Sequence, residues 1–312
     1  MPETCVVARP EFSTLPRRRR VLRHLLALPL AGLAATLGTA NAAGLPEMPA
    51  GPGSASARTR LHESAMAHGL AAWRQHHDLN ASLSSAGSPA SGWQALGPGD
   101  ADSVQVRLLP AAGLLAVAHG SHAARRSVLR RQVRFGQALA GDAAAWSDET
   151  PTDDPLTALS ADALGLLLLG PVALLDRATV VNWAEPETLD GRRCDQLVLS
   201  AAPGLGLAAE SRMALFIDRD AGWLRRLQLA PDARVSGWRG LAELDFFDHF
   251  SLDGMLWPRR FHSPSRRWWP GGPAQTGWLT GLDLDRGYAA EALQGEHWSA
   301  DAAAPARALP PA

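Results

Sequence analysis

Two stretches in the second half of the chain constrain its fold most. Residues 213–228 read MALFIDRDAGWLRRLQ, and residues 241–262 read LAELDFFDHFSLDGMLWPRRFH. Each is an apolar strand, a short Asp/Gly turn and a second strand. In Asp218-Arg219-Asp220-Ala221-Gly222 and in Ser251-Leu252-Asp253-Gly254, Asp bonds its own backbone and Gly accepts positive φ. The expected product is an antiparallel meander that is mostly scaffold and carries no evident catalytic group. This points away from an enzyme and towards a shape that holds something.

The 312 residues allow one large domain or two small ones. All 30 basic residues are Arg, so phosphate-loop, Schiff-base and kinase-type lysine chemistry is excluded. The net charge is −1, and Arg9, Arg17, Arg18, Arg19, Arg20 and Arg23 crowd the start. The remainder is mildly acidic and offers no electrostatic footprint for nucleic acid.

Residues 1–42 read as an export signal. Arg17 to Arg20 form its positive end. Residues 25–37 (LLALPLAGLAATL) are an apolar core too short to span a bilayer comfortably. Ala40-Asn41-Ala42 is a small-residue cleavage site. The run Arg18-Arg19-Arg20-Val21-Leu22-Arg23 also resembles the twin-arginine pattern, which implies export in a folded state. An ordinary signal and an uncleaved membrane anchor stay open beside it. The chain is therefore expected in the periplasm. Cys5 lies within the signal, which leaves Cys194 without an internal disulfide partner. A buried structural thiol is expected there.

Residues 43–57 form a Pro/Gly/Ser/Ala linker. A helix is expected over 58–77, weakened at Gly69, and residues 84–99 read as loop with a short strand at 93–96. Strands follow at 103–109, 114–119, 127–135 and 143–146. Residues 155–175 (PLTALSADALGLLLLGPVALL) are very apolar but broken by Asp162 and Gly170-Pro171, which predicts two short helices that are buried or act as a lid. Strands are then expected at 178–183, 192–200, 211–218, 223–229, 241–250, 255–263 and 277–284. The main domain is expected over 58–288, with a disordered Ala/Pro-rich tail at 289–312. Short loops imply antiparallel neighbours. A sheet this long must curl or close.

At this point the residues resemble the periplasmic lipoprotein-carrier (LolA/LolB-like) superfamily, in an uncharacterised secreted branch. The matching features are Ala67-His68-Gly69-Leu70-Ala71-Ala72-Trp73 and the Leu-Asp-Gly-Arg-Arg-Cys-Asp run at 189–195. Phe216-Ile217-Asp218 with Gly222-Trp223-Leu224, and Asp253-Gly254-Met255-Leu256-Trp257-Pro258, also match. The resemblance implies an α+β fold: a curled antiparallel β-sheet, or unclosed barrel, with helices covering the concave face. It further implies a cavity for acyl chains or another apolar ligand. The Gly/Ser-broken region 84–99 departs from the pattern and puts one edge of the barrel in doubt.

His62-Glu63 and His68 do not make a zinc-protease helix, because His62 and His68 are six apart, roughly 240° around at 3.6 residues per turn. His76-His77 mark a helix end, and His119 and His122 straddle a turn. Asp153-Asp154 and Glu185/Glu187 are carboxylate pairs with no cleft in view, so capping and loop roles are expected. No cofactor or metal is expected.

The expected function is non-enzymatic binding of a lipid, acyl chain or lipoprotein. Cavity candidates are Leu164, Leu167 and Leu168 from the insert, with Trp183, Phe216, Trp223, Leu244, Phe246 and Trp257 from strands. Arg266, Arg267, Trp268 and Trp269 are candidates for contact with a membrane surface or envelope protein. Two other readings stay open: an envelope sensor or scaffold that binds a partner protein, and a hydrolase with a dispersed site.

Overall fold

The computed structural model describes residues 45–48, 51–86, 103–119, 126–130, 133–134, 137–138, 144–146, 151–152, 155–205, 208–230, 241–263, 275–293 and 298–310. All of them belong to the unit Ala42–Ala312.

The Asp/Gly turns fold as their chemistry requires. Asp218 Oδ1 accepts from the amides of Asp220 and Ala221, closing the turn between the two strands of the first hairpin. Asp253 and Gly254 both take positive φ, +50° and +75°, and Asp190 and Gly191 repeat this at +48° and +76°. Paired positive φ is the hairpin geometry that matches strand twist.

In chain order the strands are β1 (Leu79–Ala86), β2 (Ser103–Leu109), β3 (Leu114–His119), β4 (Arg126–Arg130), β5 (Val133–Arg134), β6 (Gln137–Ala138), β7 (Ala144–Trp146) and β8 (Pro151–Thr152). They continue with β9 (Ala178–Leu189), β10 (Arg192–Ala201), β11 (Ser211–Asp218), β12 (Leu224–Ala230), β13 (Ala242–Leu252), β14 (Met255–Ser263) and β15 (Gln275–Leu284). Thirteen form one antiparallel sheet in the order β8-β7-β4-β3-β2-β1-β15-β14-β13-β12-β11-β10-β9. Its two ends, β8 and β9, do not pair with each other, so the sheet stays unclosed.

Helix α1 (Ala55–Ala67) is capped by Ser54, whose side chain accepts from Ala57 N–H at 3.3 Å. The helix expected over 58–77 stops early, because Gly69 takes φ +89° and restarts the chain as the single turn α2 (Leu70–Trp73). The insert is α3 (Pro155–Leu169) followed by a 3₁₀ turn at Gly170–Leu174, broken at Gly170-Pro171 as expected. Helix α3 touches both β7 and β14, six places apart in the sheet. A flat sheet would separate them by about 29 Å at ~4.8 Å per strand. A helix of this length reaches only about 22 Å. The sheet therefore curls, and the helices cover its concave side.

The main core lies between them. Leu61 and Ala65 of α1, Trp73 of α2 and Leu164, Leu167 and Leu168 of α3 are buried with Leu197, Leu215, Leu227, Leu244, Phe246, Trp257 and Leu279 from the strands. Alternate residues face the other way. Cys194, Ala214 and Phe216 form a small outer cluster against Leu45 and Leu189.

Two expectations differ from what is found. Leu79-Asn80-Ala81-Ser82-Leu83 is a central strand, β1, which pairs with both β2 and β15. Ser84, Ser85 and Ala86, expected as loop, continue this strand against β15, and residues 87–99 lie outside the described residues. The segment beyond 289, expected to be disordered, carries a 3₁₀ turn at Ala290–Leu293 and a short helix α4 (Ala300–Ala303), and packs on the outer face of β2 and β3. The reason is Arg107. Its buried guanidinium donates to the carbonyls of Ala302 and Ala304 at 2.8 and 2.7 Å and lies over the Trp298 ring. The strand at 93–96 lies outside the described residues.

The β9 edge is covered by its own chain. Ser54 N–H donates to Val181 O at 2.8 Å, and Arg58 donates to the carbonyls of Ala178 and Thr179 at 2.9 Å each. Capping these acceptors blunts an edge that would otherwise recruit another strand.

Candidate functional site

The candidate site is an apolar cleft where the insert meets the concave face. Its volume is about 80 Å³. Leu108, Pro110, Gly113 and Leu115 of β2, β3 and the turn between them form one wall, and Trp73 adds to it. The opposite wall is Gly165, Leu166 and Leu169 of α3 with Val172 and Ala173 of the 3₁₀ turn. These positions share one stripe of the insert by helical spacing. Gly165 brings the walls together: a Cβ there would stand 3.4 Å from Leu115 Cδ1.

One end of the cleft is polar, with Asp162, Asp176 and Arg177. Arg177 is buried, and one guanidinium nitrogen stands 3.6 Å from Asp162. Other donors of the same fork go to Pro203 O at 3.0 and 2.9 Å. Arg177 thus ties the one charged residue in the buried half of α3 to the loop between β10 and β11. A buried charge needs such partners.

His68 supports the insert from below. Its Nε2 accepts from Leu224 N–H at 2.9 Å, and its carbonyl accepts from Leu256 N–H at 3.3 Å. A Cβ on Gly170, where α3 gives way to the 3₁₀ turn, would stand 3.5 Å from His68 Nδ1. Burial, helped by His249 nearby, lowers the His68 pKa to about 3. The ring is neutral, as an acceptor must be. His249 packs 5.2 Å from the Trp223 ring, and burial lowers its pKa to about 4, with Arg225 adding to the effect.

The first hairpin is locked to α1 by polar contacts. Ser64 donates to Gly222 O at 2.7 Å, and Arg60 reaches Asp218 O at 2.9 Å and Asp195 at 3.0 Å. Burial alone would raise the Asp218 carboxyl. The Ala221 amide, Arg225 and the Asp220 amide outweigh it and hold the pKa low. These groups fix the scaffold and do not line the cleft at the insert.

The nine expected cavity residues fall in four places. Leu164, Leu167 and Leu168 are buried in the main core on the turns of α3 that alternate with the cleft stripe. Leu244, Phe246 and Trp257 are buried in the same core. Phe216 belongs to the outer cluster. Trp183 is 40% exposed on β9, its Nε1 donating to Ser56 Oγ at 2.9 Å. Trp223 is half-buried beside His249. Arg266, Arg267, Trp268 and Trp269 lie outside the described residues, as do Asp153, Asp154 and His122. Glu185 and Glu187 are exposed on β9. Among the described residues no three His, Cys, Asp or Glu side chains gather as a metal site. None of their helices is long and apolar enough to cross a membrane.

No family model matches the chain, and no curated protein matches its sequence. Solved structures do resemble it. One is a Vibrio parahaemolyticus domain assigned to outer membrane lipoprotein sorting, 10% identical, with 77% of this chain and 96% of that chain covered and a TM-score of 0.49. Another is a LolA superfamily protein from Nitrosomonas europaea, 11% identical, with 77% and 98% covered and a TM-score of 0.48. A third is a DUF1329 family protein from Desulfovibrio piger, 12% identical, with 76% and 97% covered and a TM-score of 0.45. The chain resembles these proteins. At such identities and TM-scores the likeness carries no inference about ligand or partner.

Proposed function

We propose that this protein is a non-enzymatic binder of an apolar ligand, a lipid or acyl chain, exported to the periplasm and using the insert α3 as its lid. The observation that carries this reading is the cleft between the insert and β2–β3. Its walls are almost wholly apolar, and the helix that forms one of them is a leucine-rich run from Ala163 onward. Its leucines are covered by the protein's own core here, and an apolar chain is replacement cover of the right chemistry.

The cleft at about 80 Å³ is smaller than the ~300–1,000 Å³ of a ligand site. Binding a whole acyl chain therefore requires α3 to lift from β3, with the cleft as the starting gap. Each leucine uncovered by that movement costs roughly 1.5–3 kcal/mol unless ligand replaces its neighbours. The lid thus opens at a net gain only when an apolar chain enters. Leu164, Leu167 and Leu168 would then join Leu166 and Leu169 as ligand contacts.

The reading is tested by titrating the purified full-length chain with a fluorescent fatty acyl probe. Wild type is expected to bind saturably. Ala173→Trp, which fills the cleft from its half-buried rim, is expected to weaken binding at least tenfold while keeping the fold. Equal binding by both proteins would place the ligand elsewhere.

A further inference from the structure

The polar end of the cleft is anchored at the root of the insert. Arg177 N–H donates to Leu174 O at 3.1 Å, and Arg177 O accepts from Ala202 N–H at 2.8 Å. The Arg177 guanidinium donates from Nε and Nη2 to Pro203 O and from Nη2 to Gly204 O. Its Nη1 faces Asp162 Oδ1 of α3 at 3.6 Å, with the two side chains 4% and 8% exposed. Separating a pair buried so deeply strands its charges, so this tie holds while α3 lifts from β3. Asp162, Asp176 and Arg177 therefore stay together with the lid closed or raised.

What this end offers a ligand is acceptors. Among the described lining residues Arg177 is the one cation, and its nitrogens already serve two carbonyls and a carboxylate. Asp162 and Asp176 can only accept when ionised. A carboxylate has about four acceptor sites, so each takes a further donor beside the partners it has. An ionised ligand carboxylate would instead lose its water against two others. That is costly where little solvent screens the repulsion.

Resting on the reading of this cleft as the ligand site, we infer that it selects the head of its ligand. The head is a hydrogen-bond donor without negative charge, a hydroxyl or an amine, and a free fatty acid is rejected. Asp162 and Asp176 set the choice. Asp176 is half-buried and lies outside α3, so it can be changed with the lid and its tie left in place.

Displacement of a fluorescent acyl amide from the full-length chain tests this. The competitors are decylamine, decanol and decanoate, each below its micelle concentration and at about pH 8, where the acid is ionised and the amine charged. Wild type is expected to bind the amine and the alcohol roughly tenfold or more tighter than the acid. Asp176→Asn is expected to narrow that ratio by roughly threefold or more, chiefly by admitting the acid. Circular dichroism checks that the variant is folded, and Asp176→Ser replaces it if it is not. A stronger amine than alcohol would assign the selection to charge, and equal affinities for the two would assign it to hydrogen bonding. Decanoate bound as tightly as the others would overturn the inference and leave the lid reading standing, as would a ratio that the folded variant does not move. Binding of neither the acyl amide nor any competitor would overturn both readings.

Discussion

Gly69 lies against Gly254 so closely that a Cβ on Gly69 would stand 2.5 Å from the Gly254 carbonyl oxygen and 2.7 Å from Met255 Cα. One glycine ends the first helix, and the other turns the second hairpin. Their contact seats the helical layer on the sheet.

Gly69→Ala should therefore combine a strained φ with a backbone clash. We expect a loss of at least ~2 kcal/mol, judged against the 1–3 kcal/mol of a strained backbone alone. Gly191→Ala is the control. It also has positive φ, +76°, but no atom stands within 4 Å of its added Cβ, so it should cost only about 1 kcal/mol. Urea midpoints of the two variants check the difference.

His68 makes stability fall in acid. Its pKa is about 3 folded against an ordinary 6.5, so the unfolded chain binds more protons between those values. The contribution is complete above pH 6.5 and is lost as pH falls towards 3. About 2 kcal/mol should disappear between pH 7 and pH 5 from this group. His249 adds a loss of the same sign. His68→Gln, which keeps an acceptor for Leu224 N–H without a titrating ring, should flatten the pH profile of the urea midpoint.

Cys194 should be inert. It is fully buried, and burial, aided by the Asp218 charge, pushes its thiol pKa upward. Alkylation at pH 8 followed by peptide mapping should find it unmodified in native protein and fully modified in denaturant. A fast native reaction would mean the outer cluster opens.

Arg107→Ala should free the C-terminal segment. The change removes donors to Ala302 and Ala304 and the stack on Trp298. The buried Ala302 carbonyl, left without that partner, costs ~1–3 kcal/mol, while the Ala304 carbonyl keeps Arg286. Limited proteolysis should gain a cut beyond residue 293, while the rest of the fold persists. Arg107→Lys should restore little, since one ammonium cannot fork to two carbonyls.

Much of the fold was legible because its turns are chemical. Asp218, Asp190-Gly191 and Asp253-Gly254 mark hairpins by residue type, and Gly170-Pro171 marks the break in the insert. Strand β1 was not, because Asn80 and Ser82 are poor strand formers and its alternation spans few residues. The docked tail was not, because Arg107 recognises carbonyls, which every residue carries. The insert was visible as broken, buried helix, but its phase was not. A run of leucines marks no face, so nothing distinguished Leu166 and Leu169 from Leu164, Leu167 and Leu168. Phe216 and Leu215 are likewise neighbours on a strand buried on both faces, where alternation leaves no polar residue to tell inside from outside.

The most direct measurement is native mass spectrometry of the full-length chain recovered from a bacterial periplasm under non-denaturing conditions. The account predicts a co-purifying lipid or acyl species on wild type that is lost from Ala173→Trp. Wild-type protein that is bare, and that takes up no acyl probe when one is added, would contradict it.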